Sequence, residues 1–170
     1  MNSEKTPLTI RDLVMLERVS DPQLSPGGKY LAYVLRSTDL DGNKGICDIG
    51  LLNLDAPGQA PRPFTRNGGN NDTPRWSPDG KTLYFLSTRS GSPQVWSQAV
   101  DDEIARQVTA LPLDVNTYAV APDARTLALS MDVFAVCQNL AGTRKRLDEM
   151  AARKATGQSY HQLFVRHWDT

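Results

Sequence analysis

Ser159 stands in the pentapeptide Gly157-Gln158-Ser159-Tyr160-His161, one residue away from the Gly-x-Ser-x-Gly elbow that raises a serine nucleophile on a sharp strand-to-helix turn. Histidine occupies the last position, where that turn needs a small residue, and a helical stretch precedes the serine while a strand-like run follows it. Acyl-transfer chemistry at Ser159 is therefore rejected in favour of a polar loop. Cys47, Cys137, His161 and His167 could nominally supply a Cys₂His₂ zinc set, but the cysteines lack the close C-x₂₋₄-C spacing of such sites; no metal and no cofactor is assigned. Asp79 and Asp123 invite an acid-pair reading, yet both fall in turns about one repeat apart, where carboxylates satisfy backbone N–H groups. Gly68-Gly69 leads into Asn-Asn-Asp rather than Lys-Ser/Thr, so no phosphate-binding loop is read. No catalytic residue is assigned. The one cluster retained is Arg166, His167 and Trp168, which beside Asp169 could form a stacked corner, face a substrate channel or meet another domain.

Nineteen basic and nineteen acidic side chains balance to a formal charge of zero, which removes the long-range attraction that nonspecific nucleic-acid or anionic-membrane binding requires. Neither partner is expected. The basic run Arg144-Lys145-Arg146 sits beside Asp148 and Glu149 and reads as a solvated helix face. No stretch approaches the roughly 20 apolar residues of a membrane-spanning helix. The start, Met1-Asn2-Ser3-Glu4-Lys5, lacks the basic-then-apolar layout of a secretory signal, so cytoplasm is the expected compartment, with a trimmed periplasmic protein as the alternative. Two cysteines far apart in such a chain are expected to be free thiols.

The elements that would carry any site come from a repeat. Thr73-Pro74-Arg75-Trp76-Ser77-Pro78-Asp79-Gly80-Lys81-Thr82-Leu83-Tyr84-Phe85 recurs in weaker form around Ser25-Pro26-Gly27-Gly28-Lys29 and Ala121-Pro122-Asp123-Ala124-Arg125, the marker prolines standing 52 and 44 residues apart. That period suits propeller blades of about 40–50 residues. In the best copy an inner strand ends at Trp76, and Ser77-Pro78-Asp79-Gly80 turns the chain, proline presetting φ and glycine accepting a positive one. In the next strand Leu83 and Phe85 share one face and Tyr84 and Leu86 the other, so both faces are apolar, as in a sheet packed between two others. Further strands follow at 94–98 and 106–109, making a four-stranded antiparallel blade. The first copy predicts strands at 31–35, 48–54 and 62–65, with a middle turn lengthened over 39–45. Pro63-Phe64-Thr65 and Gln107-Val108-Thr109 end the two outer strands alike. In the third copy Ala124 replaces glycine, so that turn must change type or carry strain.

The fold class expected is all-β: blades of four antiparallel strands in an incomplete propeller, with a short N-terminal helix and a helical insert near 143–156. The organisation is a helical extension over 1–20, blade 1 over 21–66, blade 2 over 67–110 and a partial blade 3 with its insert over 111–170. Thr9-Ile10-Arg11-Asp12 is a variant capping box, leading into Leu13, Val14, Leu16 and Val19 on one apolar face. The insert, between Gly142 and a glycine stop at Gly157, carries Arg144/Asp148 and Lys145/Glu149 at i,i+4. Two blades and part of a third cannot close a ring and would leave an open edge, so a segment of a larger ring is expected.

The core Trp76-Ser77-Pro78-Asp79-Gly80-Lys81 with the Leu-Tyr-Phe strand behind it resembles the TolB-like propeller repeat. Leu-Thr-Ile-Arg-Asp-Leu from Leu8, with Arg18-Val19-Ser20-Asp21-Pro22 and Leu24-Ser25-Pro26, resembles the start of bacterial serine peptidases of the prolyl oligopeptidase family, in the dipeptidyl aminopeptidase and acylaminoacyl-peptidase branch. The run from Leu163 to Thr170 is similar to the segment entering a later blade there. The resemblance implies a seven- or eight-bladed propeller that limits substrate size and caps a C-terminal α/β-hydrolase domain bearing a Ser-Asp-His triad, which cleaves short peptides near their N-termini. None of the triad falls on this sequence, and the hydrolase domain lies outside it, so the chain alone is expected to be inactive. Gly27 in place of aspartate and Ala124 in place of glycine are its departures from the repeat. The rival reading is a freestanding TolB-like module for protein–protein binding; a third is a ring assembled from several copies.

Overall fold

The computed structural model describes residues 7–66 and 69–153. Two compact units divide the chain after Asp132, and each is taken by itself.

In the first unit, helix α1 (Ile10–Met15) is followed by strands β1 (Arg18–Leu24), β2 (Tyr30–Asp39), β3 (Lys44–Asn53) and β4 (Arg62–Pro63), then β5 (Asn71–Trp76), β6 (Thr82–Ser87), β7 (Gln94–Ala99) and β8 (Arg106–Gln107), and finally β9 (Thr117–Val120) and β10 (Leu127–Ser130). The sheets are β1-β2-β3-β4, β5-β6-β7-β8 and β9-β10, antiparallel throughout. These are the two four-stranded blades and the start of a third that the repeat predicts.

The alternation in β6 decides how they pack. Leu83 and Phe85 are fully buried against Ala32, Ile49, Leu51 and Phe64 of the first blade, while Leu86, with Tyr84, lies on the other face in a second core with Val115, Tyr118 and Leu129. Blade 2 is thus covered on both sides, and that is why its central strand is apolar on both.

The three turns are one structure. Gly28, Gly80 and Ala124 each donate a backbone N–H to the residue three before, Ser25, Ser77 and Ala121, at 2.8, 2.9 and 2.9 Å, and their φ values are +72, +68 and +55°. The third turn therefore keeps its type and carries strain, because a Cβ in the left-handed region costs roughly 1–2 kcal/mol. Ala124→Gly should raise the unfolding free energy by about 0.5–1 kcal/mol once the greater freedom of glycine in the unfolded chain is deducted. A urea midpoint that falls instead would contradict this turn.

Two outer strands end alike, as their sequences suggest. Thr65 Oγ1 accepts from Ile49 N at 2.9 Å and donates to Asp48 Oδ1 at 2.9 Å; Thr109 Oγ1 accepts from Val95 N at 2.9 Å and donates to Gln94 Oε1 at 2.8 Å. Each hydroxyl continues a ladder that the two-residue strand leaves short. The first blade's middle connection is tighter than predicted. Asp39 Oδ1 accepts from Gly42 N at 2.9 Å and Asn43 takes φ +46°, so pairing runs on to Asp39↔Lys44 and only 40–43 form the turn.

At α1, Thr9 and Asp12 form the full capping box. These hydrogen bonds, the side-chain one from Thr9 first, hold the Asp12 carboxyl below its ordinary range. The helix stops at Met15 with Leu16 extended, so Val19 belongs to β1 rather than to a continuing helix face.

In the second unit, helix α2 (Leu140–Ala151) starts and ends earlier than the glycine punctuation suggests. Asn139 is its N-cap, accepting from Gly142 N at 2.8 Å, and Gly142 lies inside the first turn; a side-chain acceptor that satisfies an orphan N–H outweighs the weak helix preference of one glycine. The C-cap is Ala152. The i,i+4 pairs Arg144/Asp148 and Lys145/Glu149 form as predicted, and Thr143 Oγ1 accepts from Phe134 N at 3.3 Å.

Candidate functional site

Arg166, His167 and Trp168, together with Ser159 and His161, lie outside the described residues. The acids that invited an acid-pair reading are turn caps. Asp79 Oδ1 accepts from Ser77 Oγ at 2.6 Å and Lys81 N at 3.1 Å, bonds that, Ser77 first, lower its pKa; Asp123 Oδ1 accepts from Arg125 N at 2.9 Å. Cys47 and Cys137 are free thiols, and burial, ahead of the nearby Asp72 charge, pushes the Cys47 thiol up, away from a reactive thiolate. Among the described residues no three His, Cys, Asp or Glu side chains gather to hold a metal, and no helix is long and apolar enough to cross a membrane.

The structure instead brings together polar groups at the seams between blades. Inner strands β1 and β5 each carry a bulge at the same repeat position, with Asp21 and Thr73 at φ +46 and +52°. There the Asp21 carboxylate meets Arg75 Nη1 at 2.8 Å and accepts from Gln23 Nε2 at 2.7 Å. One step along, Trp76 Nε1 donates to Gln23 O at 2.9 Å. At the next seam Tyr118 Oη donates to Thr73 O at 2.8 Å. Innermost strands of consecutive blades are thus tied by directed bonds from residues 45 to 54 positions apart. The sequence marks Trp76 and Tyr118 only as apolar strand residues, which is why their role as seam donors is not legible there.

At the start of β5, Asn71 is fully buried and donates from Nδ2 to Asp48 Oδ1 and Gly69 O at 2.9 and 3.0 Å, while its Oδ1 accepts from Arg89 at 2.9 Å. Arg89 also donates from Nε to Ser87 Oγ at 2.9 Å and lies over the Phe85 and Trp96 rings. Arg89 lines a cleft between the blades together with Arg62, Arg66, Gln98 and Glu103.

The family profile of the TolB beta propeller domain matches residues 14–149, most of the chain. The chain is a member of that propeller family. Over 162 residues the propeller is 30% identical to dipeptidyl-peptidase 5 of Porphyromonas gingivalis, covering 95% of this chain and 22% of that protein. Among solved structures it is similar to acylaminoacyl peptidase of Pyrococcus horikoshii, with TM-score 0.57 and 25% identity over 69% of this chain and 17% of that one. It is also similar to a putative TolB from Agrobacterium tumefaciens, with TM-score 0.52 and 25% identity over 68% of this chain and 39% of the other. The chain spans about a fifth of the length of the curated relatives it matches. The resemblance to the propeller part of prolyl oligopeptidase-family peptidases, first carried by the Trp-Ser-Pro-Asp-Gly-Lys turn and the Leu8–Pro26 stretch, is the one these comparisons return.

Proposed function

We propose that these residues are the noncatalytic propeller segment of a serine exopeptidase, limiting the size of peptides that reach a hydrolase domain carried by the same polypeptide. The observation that supports this most directly is the propeller's match to peptidases of which it covers about a fifth. A second feature agrees with a docked neighbour. Helix α1 buries none of its residues, and Ile10, Leu13 and Met15 are all exposed apolar side chains, as a helix awaiting a partner domain would leave them. The hydrolase domain and short peptides are the partners on this reading; nucleic acid and membrane are not, and the charge balance supports that.

The test compares the 170-residue chain with the longer polypeptide that would contain it. The chain alone should release no p-nitroaniline from dipeptidyl or acyl-aminoacyl anilides, whereas the longer protein should cleave them in a manner sensitive to serine-directed inhibitors and should spare large folded substrates. Serine-dependent hydrolysis by the chain alone would overturn the assignment. The likeness to a putative TolB favours a second reading, a propeller that binds protein and has no hydrolase attached. A coding frame that proceeds to a Gly-x-Ser-x-Gly elbow, an aspartate and a histidine decides for the peptidase; one that never reaches them decides for the binding module.

A further inference from the structure

The cleft between the two complete blades holds about 270 Å³ and is lined by Arg62, Pro63, Phe64, Arg66, Arg89, Gln98 and Glu103. Three arginines and one glutamate therefore line a space smaller than the roughly 300–1,000 Å³ of ordinary small-molecule sites, with Arg62, Arg66 and Glu103 exposed at its edge. Among the described residues none of the three arginines is in an ion pair.

Their existing bonds leave donors free. Each guanidinium has five N–H groups. Arg62 gives one to Val100 O at 2.6 Å. Arg89 uses Nε on Ser87 Oγ and Nη2 on Asn71 Oδ1, and Arg66 has no hydrogen-bond partner among the described residues. The nearest compensation for Arg89 is indirect, through Asn71 to the Asp48 carboxylate, which itself already accepts from Thr65 and Asn71. Arg89 is also held in place, its guanidinium carbon 5.5 Å from the Phe85 ring centroid and 4.9 Å from that of Trp96. An arginine so stacked has surrendered its side-chain freedom before any ligand arrives, which lowers the cost of binding. Burial, ahead of the opposing effect of Asp48, lowers its pKa, the mark of a cation short of solvation.

We propose that this cleft is an oxyanion site, in which Arg62, Arg66 and Arg89 hold a phosphate or carboxylate group between the blades. Guanidinium forks match both groups bidentately. The volume fits a small free anion or a single acidic side chain from elsewhere in a longer polypeptide, and the site does not depend on the peptidase reading.

Thermal melts of the full chain at constant ionic strength, with sodium chloride exchanged stepwise for sodium phosphate, test it. Phosphate should raise Tm along a saturating curve, as a ligand of the folded state does. Arg66→Ala should weaken the apparent affinity on the order of tenfold, the lower end for a hydrogen bond to a charged group, and Glu103→Gln should strengthen it about threefold by removing a repelling surface charge. If an internal carboxylate is the occupant, phosphate leaves Tm of the longer polypeptide unchanged, and Arg66→Ala lowers Tm there but not in the 170-residue chain. A phosphate effect that is unsaturated and identical in Arg66→Ala, with no loss in the longer protein, overturns the site.

Discussion

Phe85→Ala is expected to lower the unfolding free energy by about 3–5 kcal/mol, the range for removing a buried phenylalanine from a packed core. The side chain is fully buried and sits where the two complete blades meet, edge-on to Phe64 with ring centroids 6.4 Å apart and planes at 86°. Its strand is paired on both sides, to β5 and to β7, so the backbone cannot move in to fill the space, and the cost falls at the cavity-limited end. Arg89, which lies over the same ring, loses one of its two platforms. Because domains are stable by only about 5–15 kcal/mol, this one change should consume a large part of the total. Phe85→Leu, which keeps most of the volume, should cost under about 1.5 kcal/mol. Urea titrations of both variants measure this, with an unchanged m-value as the check that compactness is preserved. A loss below about 1 kcal/mol for Phe85→Ala, the median for an ordinary substitution, would mean that the blades do not pack face to face through this residue.

That prediction could be framed from sequence because the controlling pattern is local. Alternation along 82–87 assigns Leu83 and Phe85 to one face and Tyr84 and Leu86 to the other, and a strand apolar on both faces must lie between two neighbours. The Ser-Pro-Asp-Gly turns, the Thr9–Asp12 capping box and the matched threonines at 65 and 109 were legible for the same reason, since each is decided by residues a few positions apart. The misplaced boundaries are cases where two local signals compete. Gly142 reads as a boundary until Asn139 is weighed as a cap, and 39–45 reads as loop until Asp39 and Asn43 are seen to close a tight hairpin. Illegible altogether are the seam contacts. Nothing near Trp76 points to the carbonyl of Gln23, and nothing near Arg89 points to Arg62 and Arg66, because only the stacking of one blade on the next brings those groups together.

Tyr118 carries the second large effect, which appears as a dependence on pH. Its ring is buried between the second and third blades and its hydroxyl donates to Thr73 O at 2.8 Å. Burial, the largest influence, pushes the phenol up, with Asp21 and Asp72 acting in the same direction and Arg75 against it. An unfolded tyrosine titrates near pH 10, so below that value Tyr118 is neutral in both states and its contribution is fully present. Above it the unfolded chain releases a proton that the folded chain retains. The unfolded state then binds fewer protons, and stability falls as pH rises, at a limiting slope of about 1.36 kcal/mol per pH unit. Tyr118→Phe should be less stable than the parent at neutral pH by about 1–3 kcal/mol, because the Thr73 carbonyl loses its buried donor. The variant has no phenol to ionise, so the deficit should shrink with that same slope above about pH 10 and reverse within one to two units. Groups common to both proteins cancel in the difference. Urea midpoints of the pair from about pH 8 to about pH 11.5, a span chosen around the unfolded tyrosine value, measure it. A stability difference that stays flat across that range would show that this hydroxyl is open to water, and the seam between the second blade and the third would have to be drawn without it.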